Sequence, residues 1–106
     1  MSFTTATDVA VEQLDGEIPM EFKLHPSYPN PFNPETTIRF DLPQESAVRL
    51  TIYDPLGREV EVLVSDRLSR GRHEFSWNAS GMPTGLYFYQ LTAGKFSQTM
   101  KMVLLK

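Results

Sequence analysis

Residues 28–42 read YPNPFNPETTIRFDL, and the change of character in the middle of that stretch decides the fold. Its first half carries Pro29, Pro31 and Pro34. Each proline fixes its own φ, and the residues before them, Tyr28, Asn30 and Asn33, are pushed out of the helical region. The chain therefore runs extended, and Phe32 becomes a large apolar ring on a stiff arm whose natural place is a gap at the end of a β-core. The second half alternates, with Ile38, Phe40 and Leu42 against Arg39 and Asp41, which is the period of a half-buried strand.

Working outward toward the C-terminus, the period of two persists. Ala47 to Tyr53 places Val48, Leu50 and Ile52 on one face, and Asp54-Pro55-Leu56-Gly57 has the proline and glycine of a type I turn. The returning strand, Arg58 to Val64, is expected to turn Val60, Val62 and Val64 inward and Glu59 and Glu61 outward. Ser65 to Gly71 reads as a polar loop. Strands follow at His73–Trp77, Leu86–Leu91 and Phe96–Leu105, separated by the turn-rich run from Asn78 to Gly85 and by Ala93-Gly94. That makes six strands, or seven if Phe22 to His25 pairs on an edge. Pro43, Pro55 and Pro83 fall between strands and none inside one, as a hydrogen-bonded ladder requires. Short antiparallel strands at this spacing predict an all-β fold, an immunoglobulin-like antiparallel β-sandwich. Gly85-Leu86-Tyr87-Phe88-Tyr89 has the spacing of a tyrosine corner, with Tyr87 bonding back to the preceding loop and Tyr89 entering the core.

Toward the N-terminus the signal fades. Residues 1–20 hold Asp8, Glu12, Asp15 and Glu17, and the first basic residue is Lys23. Such a stretch builds no core, so residues 1–21 are expected to be a linker from an upstream domain and 22–106 the folded unit; a helical turn or edge strand over Asp8 to Leu14 is the alternative. Met1 reads as a start placed on an excised fragment, since the basic-then-apolar pattern of a signal peptide is missing. No apolar run approaches the length of a transmembrane segment.

The chemistry of the chain is sparse. A net charge of −3 with scattered basic residues argues against nucleic acid as a partner. There is no cysteine, so neither a disulfide framework nor a thiolate metal site is available. His25 and His73 are remote from any nucleophile motif, and no P-loop, zinc-protease or calcium-loop pattern occurs; catalytic residues, metal and cofactor are all read as none. Asn78-Ala79-Ser80 fits a glycosylation triplet but also suits a turn. Arg67, Arg70, Arg72 and His73 form either a site for an acidic partner or a hydrated loop. Tyr53 and Phe88 oppose the inward sets of their strands and are the candidates for a sugar-stacking face, whereas Trp77 alternates with Phe75 into the core.

Four blocks, taken in order, resemble one known family. They are YPNPFNP followed by TTIRF, then LTIYD with the later GREV, then SGMPTGLYFY, and KMVLLK at positions 101–106. Together they resemble the type A C-terminal sorting domain of the type IX secretion system, and are similar also to the immunoglobulin-like domain of flagellar hook-capping proteins. The positions that carry the resemblance are Asn30, Pro31, Phe32 and Thr37, then Tyr53, Asp54 and Gly57, then Gly85 and Tyr87, and finally Lys101, Met102, Val103, Leu104, Leu105 and Lys106. The resemblance implies a non-catalytic module that sends an exported cargo through the outer-membrane machinery, via the periplasm, to the cell surface or the medium. It implies removal by a sortase-like protease and anchoring of the cargo to lipopolysaccharide or its release. Cleavage is then placed in the acidic tether, where unpacked chain is accessible. A carbohydrate-binding or purely structural module is the other reading. The last block either offers an edge for strand addition by a receptor or packs beneath the arm around Phe32.

Overall fold

A computed structural model describes residues 19–106. The linker reading of residues 1–21, and the cleavage site placed within it, fall almost wholly outside the described residues. From Lys23 onward the chain forms seven strands: β1 Lys23–Leu24, β2 Glu35–Leu42, β3 Ser46–Tyr53, β4 Glu59–Leu68, β5 Gly71–Asn78, β6 Gly85–Ala93 and β7 Phe96–Leu104. They make two antiparallel sheets, one of three strands in the order β1-β2-β5 and one of four in the order β4-β3-β6-β7. The fold is all-β, two facing sheets consistent with a β-sandwich.

The alternating side chains of each central strand supply the core. Ile38, Phe40 and Leu42 of β2 face Leu50 and Ile52 of β3 and Tyr89 and Leu91 of β6, all wholly buried. Phe40 stacks on Phe75 at 5.9 Å, which pairs neighbouring strands by side chain as well as backbone. Tyr89 lies in the core as expected, and its hydroxyl donates to the His25 carbonyl oxygen at 2.9 Å, so the polar end of the ring is satisfied inside. Burial pushes this phenol above its ordinary value, so it remains a donor to higher pH than a free tyrosine would.

β4 departs from the simple alternation. It extends to Leu68, so the polar loop expected over Ser65 to Gly71 shrinks to Ser69 and Arg70. Its register against β3 slips twice, between Leu50 and Thr51 and between Ile52 and Tyr53. Each slip adds a residue to β4 and reverses which side the next residues take. Val62 accordingly pairs opposite Thr51 on the outer face, and Val60, Leu63 and Val64 pack against the core instead of the expected set Val60, Val62 and Val64. Glu61 is exposed, as expected, although it lies opposite the buried Ile52 and its carboxylate accepts a 3.2 Å hydrogen bond from Trp77 Nε1.

The basic group is divided rather than assembled. Arg67 pairs with Glu45 at 2.8 Å, Arg72 stands 4.0 Å from Asp41, and His73 stacks on Phe40. The Asn78 side chain accepts from the Ser80 N–H at 2.9 Å, which is the turn chemistry read from the sequence.

Candidate functional site

Strand direction places the connections at two poles. At the first lie the β2–β3, β4–β5 and β6–β7 reversals and the place where the chain enters β1, closed by Phe22 stacked on Phe96 at 5.4 Å. At the second lie the arm, the β3–β4 turn, the β5–β6 loop and the end of β7. The four motif blocks, separated in sequence, therefore meet at or near this second pole.

The arm crosses from one sheet to the other there. Tyr28 and Thr37 exchange two backbone hydrogen bonds of 3.0 Å, which ties the arm to β2. The buried Thr36 hydroxyl donates to the Pro29 carbonyl oxygen at 2.7 Å, and the Ala79 N–H donates to that of Pro34 at 2.9 Å. Phe32 then pairs parallel to the end of β7: its N–H donates to the Val103 oxygen at 2.9 Å and its own oxygen accepts from the Leu105 N–H at 3.0 Å. Asn30 completes the ladder with its side-chain oxygen, which accepts from the Val103 N–H at 2.9 Å. The Phe32 ring is 2% exposed and lies 5.8 Å from Trp77.

The second and third blocks shape the neighbouring surface. Asp54 Oδ1 accepts from the N–H groups of Leu56 and Arg58 at 2.9 Å each, and Oδ2 from Arg58 Nε at 2.8 Å. Gly57 closes the turn with φ of 83°, a conformation that costs glycine nothing. The Arg58 N–H bond is the strongest influence on the Asp54 carboxyl; burial opposes it, and with the Arg58 guanidinium and the Leu56 N–H acting alongside, the carboxyl is held below its ordinary value. A depressed folded pKa stabilises the turn above the ordinary carboxylate range, and that contribution disappears as the pH falls through the lowered value. Gly85 opens β6 at φ of 152°, and Tyr87, two residues on, donates its hydroxyl to the Pro83 carbonyl oxygen at 2.6 Å while its ring meets Trp77 edge-on at 5.4 Å. Tyr87→Phe should cost about 0.5 to 1.5 kcal/mol of stability, since water can reach the freed Pro83 oxygen; a chemical denaturation series measures this, and a neutral result would remove the back-bond from the list of stabilising contacts.

Between these blocks lies an open, mostly apolar cavity of about 360 Å³, bordered by Pro55, Leu56, Met82, Pro83, Leu86 and Tyr87. Among the described residues the large exposed apolar side chains are Met20, Tyr28, Leu56 and Leu105. Three of them belong to the connections and strand end of this pole, and only Met20 lies by the other.

The last block is split by its alternation. Met102 and Leu104 are fully buried and belong to the core, Val103 is half-buried, and Lys101, Leu105 and Lys106 are exposed. The backbone at Val103 and Leu105 is taken by the arm, while the Leu105 side chain stays 49% exposed. Tyr53 and Phe88 are cross-strand partners on the outer face of the larger sheet, both half-buried, and the Tyr53 hydroxyl reaches Gln90 at 3.4 Å. The contacts that Thr36, Glu61 and Ala79 make at this pole have no counterpart in their sequence context. The only sequence signal for Thr36 is that it precedes the alternating run with the inward parity of Ile38.

The fold and its motif residues define an all-β module in which the motif blocks build a backbone clamp and a shaped pole. Residues 27–105 match the family of secretion system C-terminal sorting domains, and the chain belongs to that family. As a secretion system C-terminal sorting domain it is a non-catalytic sorting module. Among solved structures it is similar, with TM-score 0.54 and 20% identity, to a chain from work on PorZ, described as an essential bacterial surface component of the type-IX secretion system of Porphyromonas gingivalis. The match covers 78% of this chain and 11% of that one, and it shows a shared fold. Comparison with curated protein sequences finds no match.

Proposed function

We propose that the pole formed by the arm, the β3–β4 turn, the β5–β6 loop and the end of β7 is the surface that the outer-membrane secretion machinery reads. The convergence of the four motif blocks carries this reading, and the concentration of exposed apolar side chains at the same pole supports it. On this reading residues 1–21 are the tether to an upstream cargo and 22–106 the recognised unit. A sortase-like protease cuts within the tether after transport, and the cargo is then anchored to lipopolysaccharide or released. The fold is proposed to be immunoglobulin-like. Its support is the strand order: β1, β2 and β5 take the places of A, B and E, and β4, β3, β6 and β7 those of C′, C, F and G, with Tyr87 at the corner position.

Removing Met102 to Lys106 as a block would take out core residues, so the exposed Leu105 is the better probe. Leu105→Asp in a full-length cargo should leave the unfolding midpoint close to wild type and lower surface delivery about tenfold, the worth of ~1.4 kcal/mol of receptor contact. Met20→Asp, at the opposite pole, should deliver normally. Normal delivery of a folded Leu105→Asp protein would place recognition elsewhere on the domain.

A further inference from the structure

The arm covers only one end of the β7 edge. The N–H and C=O groups of Val103 and the N–H of Leu105 point away from β6 and are met by Phe32 and Asn30. By the alternation of an antiparallel ladder, the same groups of Ser97, Thr99 and Lys101 point the same way, and no other described strand lies beside them.

The other edges are guarded. β1 has two residues, β4 carries two register slips together with Glu59, Asp66 and Arg67, and β5 presents Arg72 and Glu74. β7 pairs with β6 without a slip from Phe96 to Leu104, and its uncovered stretch carries the uncharged Ser97, Gln98 and Thr99. From Lys95 to Lys106 there are three lysines and no acid. On the sandwich side of this edge Phe96 and Met100 are half-buried, so an apolar side chain arriving there would complete their cover.

We propose that the open stretch Phe96–Lys101 is a strand-addition site for an extended acidic segment of a protein partner, one whose neighbouring residues place an apolar side chain against Met100 on the sandwich face and a carboxylate beside Lys101 on the outer face. Backbone pairing holds the segment, and the lysines select its charge. The same lysines disfavour a second copy of this chain, because two β7 strands laid edge to edge would bring positive charge together without a counter-charge. The inference rests on the sorting reading for the source of the segment, which the secretion machinery would supply, and it assigns a surface separate from Leu105 and the apolar pole.

The test uses full-length cargo carrying Thr99→Pro or Lys101→Glu. Proline at Thr99 removes an outward N–H from an edge strand, where proline is tolerated, and the lysine change reverses the selecting charge. Each should keep the unfolding midpoint of the domain near wild type and lower surface delivery about tenfold. If Thr99→Pro does not fold, Lys101→Glu decides alone. Folded variants that deliver normally, while Leu105→Asp fails to deliver, would overturn the edge site and leave the sorting pole standing. Normal delivery by all of them would remove both. A wild-type domain that sediments as a dimer and becomes a monomer on Thr99→Pro would assign the edge to a second copy and overturn the acidic partner.

Discussion

Phe32→Ala lowers the stability of the folded domain by about 3 to 5 kcal/mol, the range for emptying a buried aromatic site. The ring is 2% exposed, and it is held by a segment whose prolines prevent collapse into the space left behind. Its loss also loosens the backbone bonds that Phe32 makes with Val103 and Leu105, because the ring is what seats them. Against a total of about 5 to 15 kcal/mol for a domain of this kind, a change of that size brings the variant close to its unfolding threshold. Urea titration followed by the fluorescence of Trp77, the single tryptophan, gives the value directly. An unchanged midpoint would mean that the arm is not a clamp and that its place among the motif blocks has to be explained by recognition alone.

Trp77→Ala is expected to cost a similar amount, about 3 to 5 kcal/mol, for a different reason. Trp77 is where the two sheets and the arm meet: its ring touches Phe32 and Tyr87, and its Nε1–H reaches Glu61 on the edge strand of the opposite sheet. Trp77→Phe keeps most of the volume and should lose about 1 to 2 kcal/mol, the hydrogen bond and the unfilled part of the indole site together. Because Phe32 and Trp77 line the same space, the double variant Phe32→Ala, Trp77→Ala should be less damaging than the sum of the singles by about 1 kcal/mol. Circular dichroism during thermal and urea unfolding measures all of these variants. Strict additivity would show that the rings stabilise the pole independently and that the arm is not seated on Trp77.

The parts of the fold that could be read from sequence are those where one face of a strand meets the core over its whole length. β2, β3 and β6 are of this kind, and Ile38, Phe40, Leu50, Ile52, Tyr87 and Tyr89 lie inside as their parity requires. β4 departs from its expected parity at Val62 because a bulge changes parity through backbone geometry and leaves no mark in the pattern of apolar and polar residues. The continuation of β4 through Ser65, Asp66 and Arg67 resembled a loop, since an edge strand wetted on both sides has a loop's composition. At the candidate site, the extended arm and the burial of Phe32 followed from three prolines and one large ring. Its parallel pairing with β7 did not, because a register between segments some 70 residues apart is set by the assembled core and by Asn30, whose role as an acceptor for Val103 has no local signature.

The arm and β7 run side by side in the same direction, while the chain enters the described fold at one pole and its last strand ends at the other. A cargo dragging on residues before Phe22 while a receptor holds the far pole would pull these two strands past each other lengthwise. The bonds at Phe32, the side-chain bond from Asn30 and the seated ring would then resist together, and none could be unzipped ahead of the rest. On the proposed sorting reading, the arm would act as a mechanical latch, placed where a load passing from cargo to transporter would be borne.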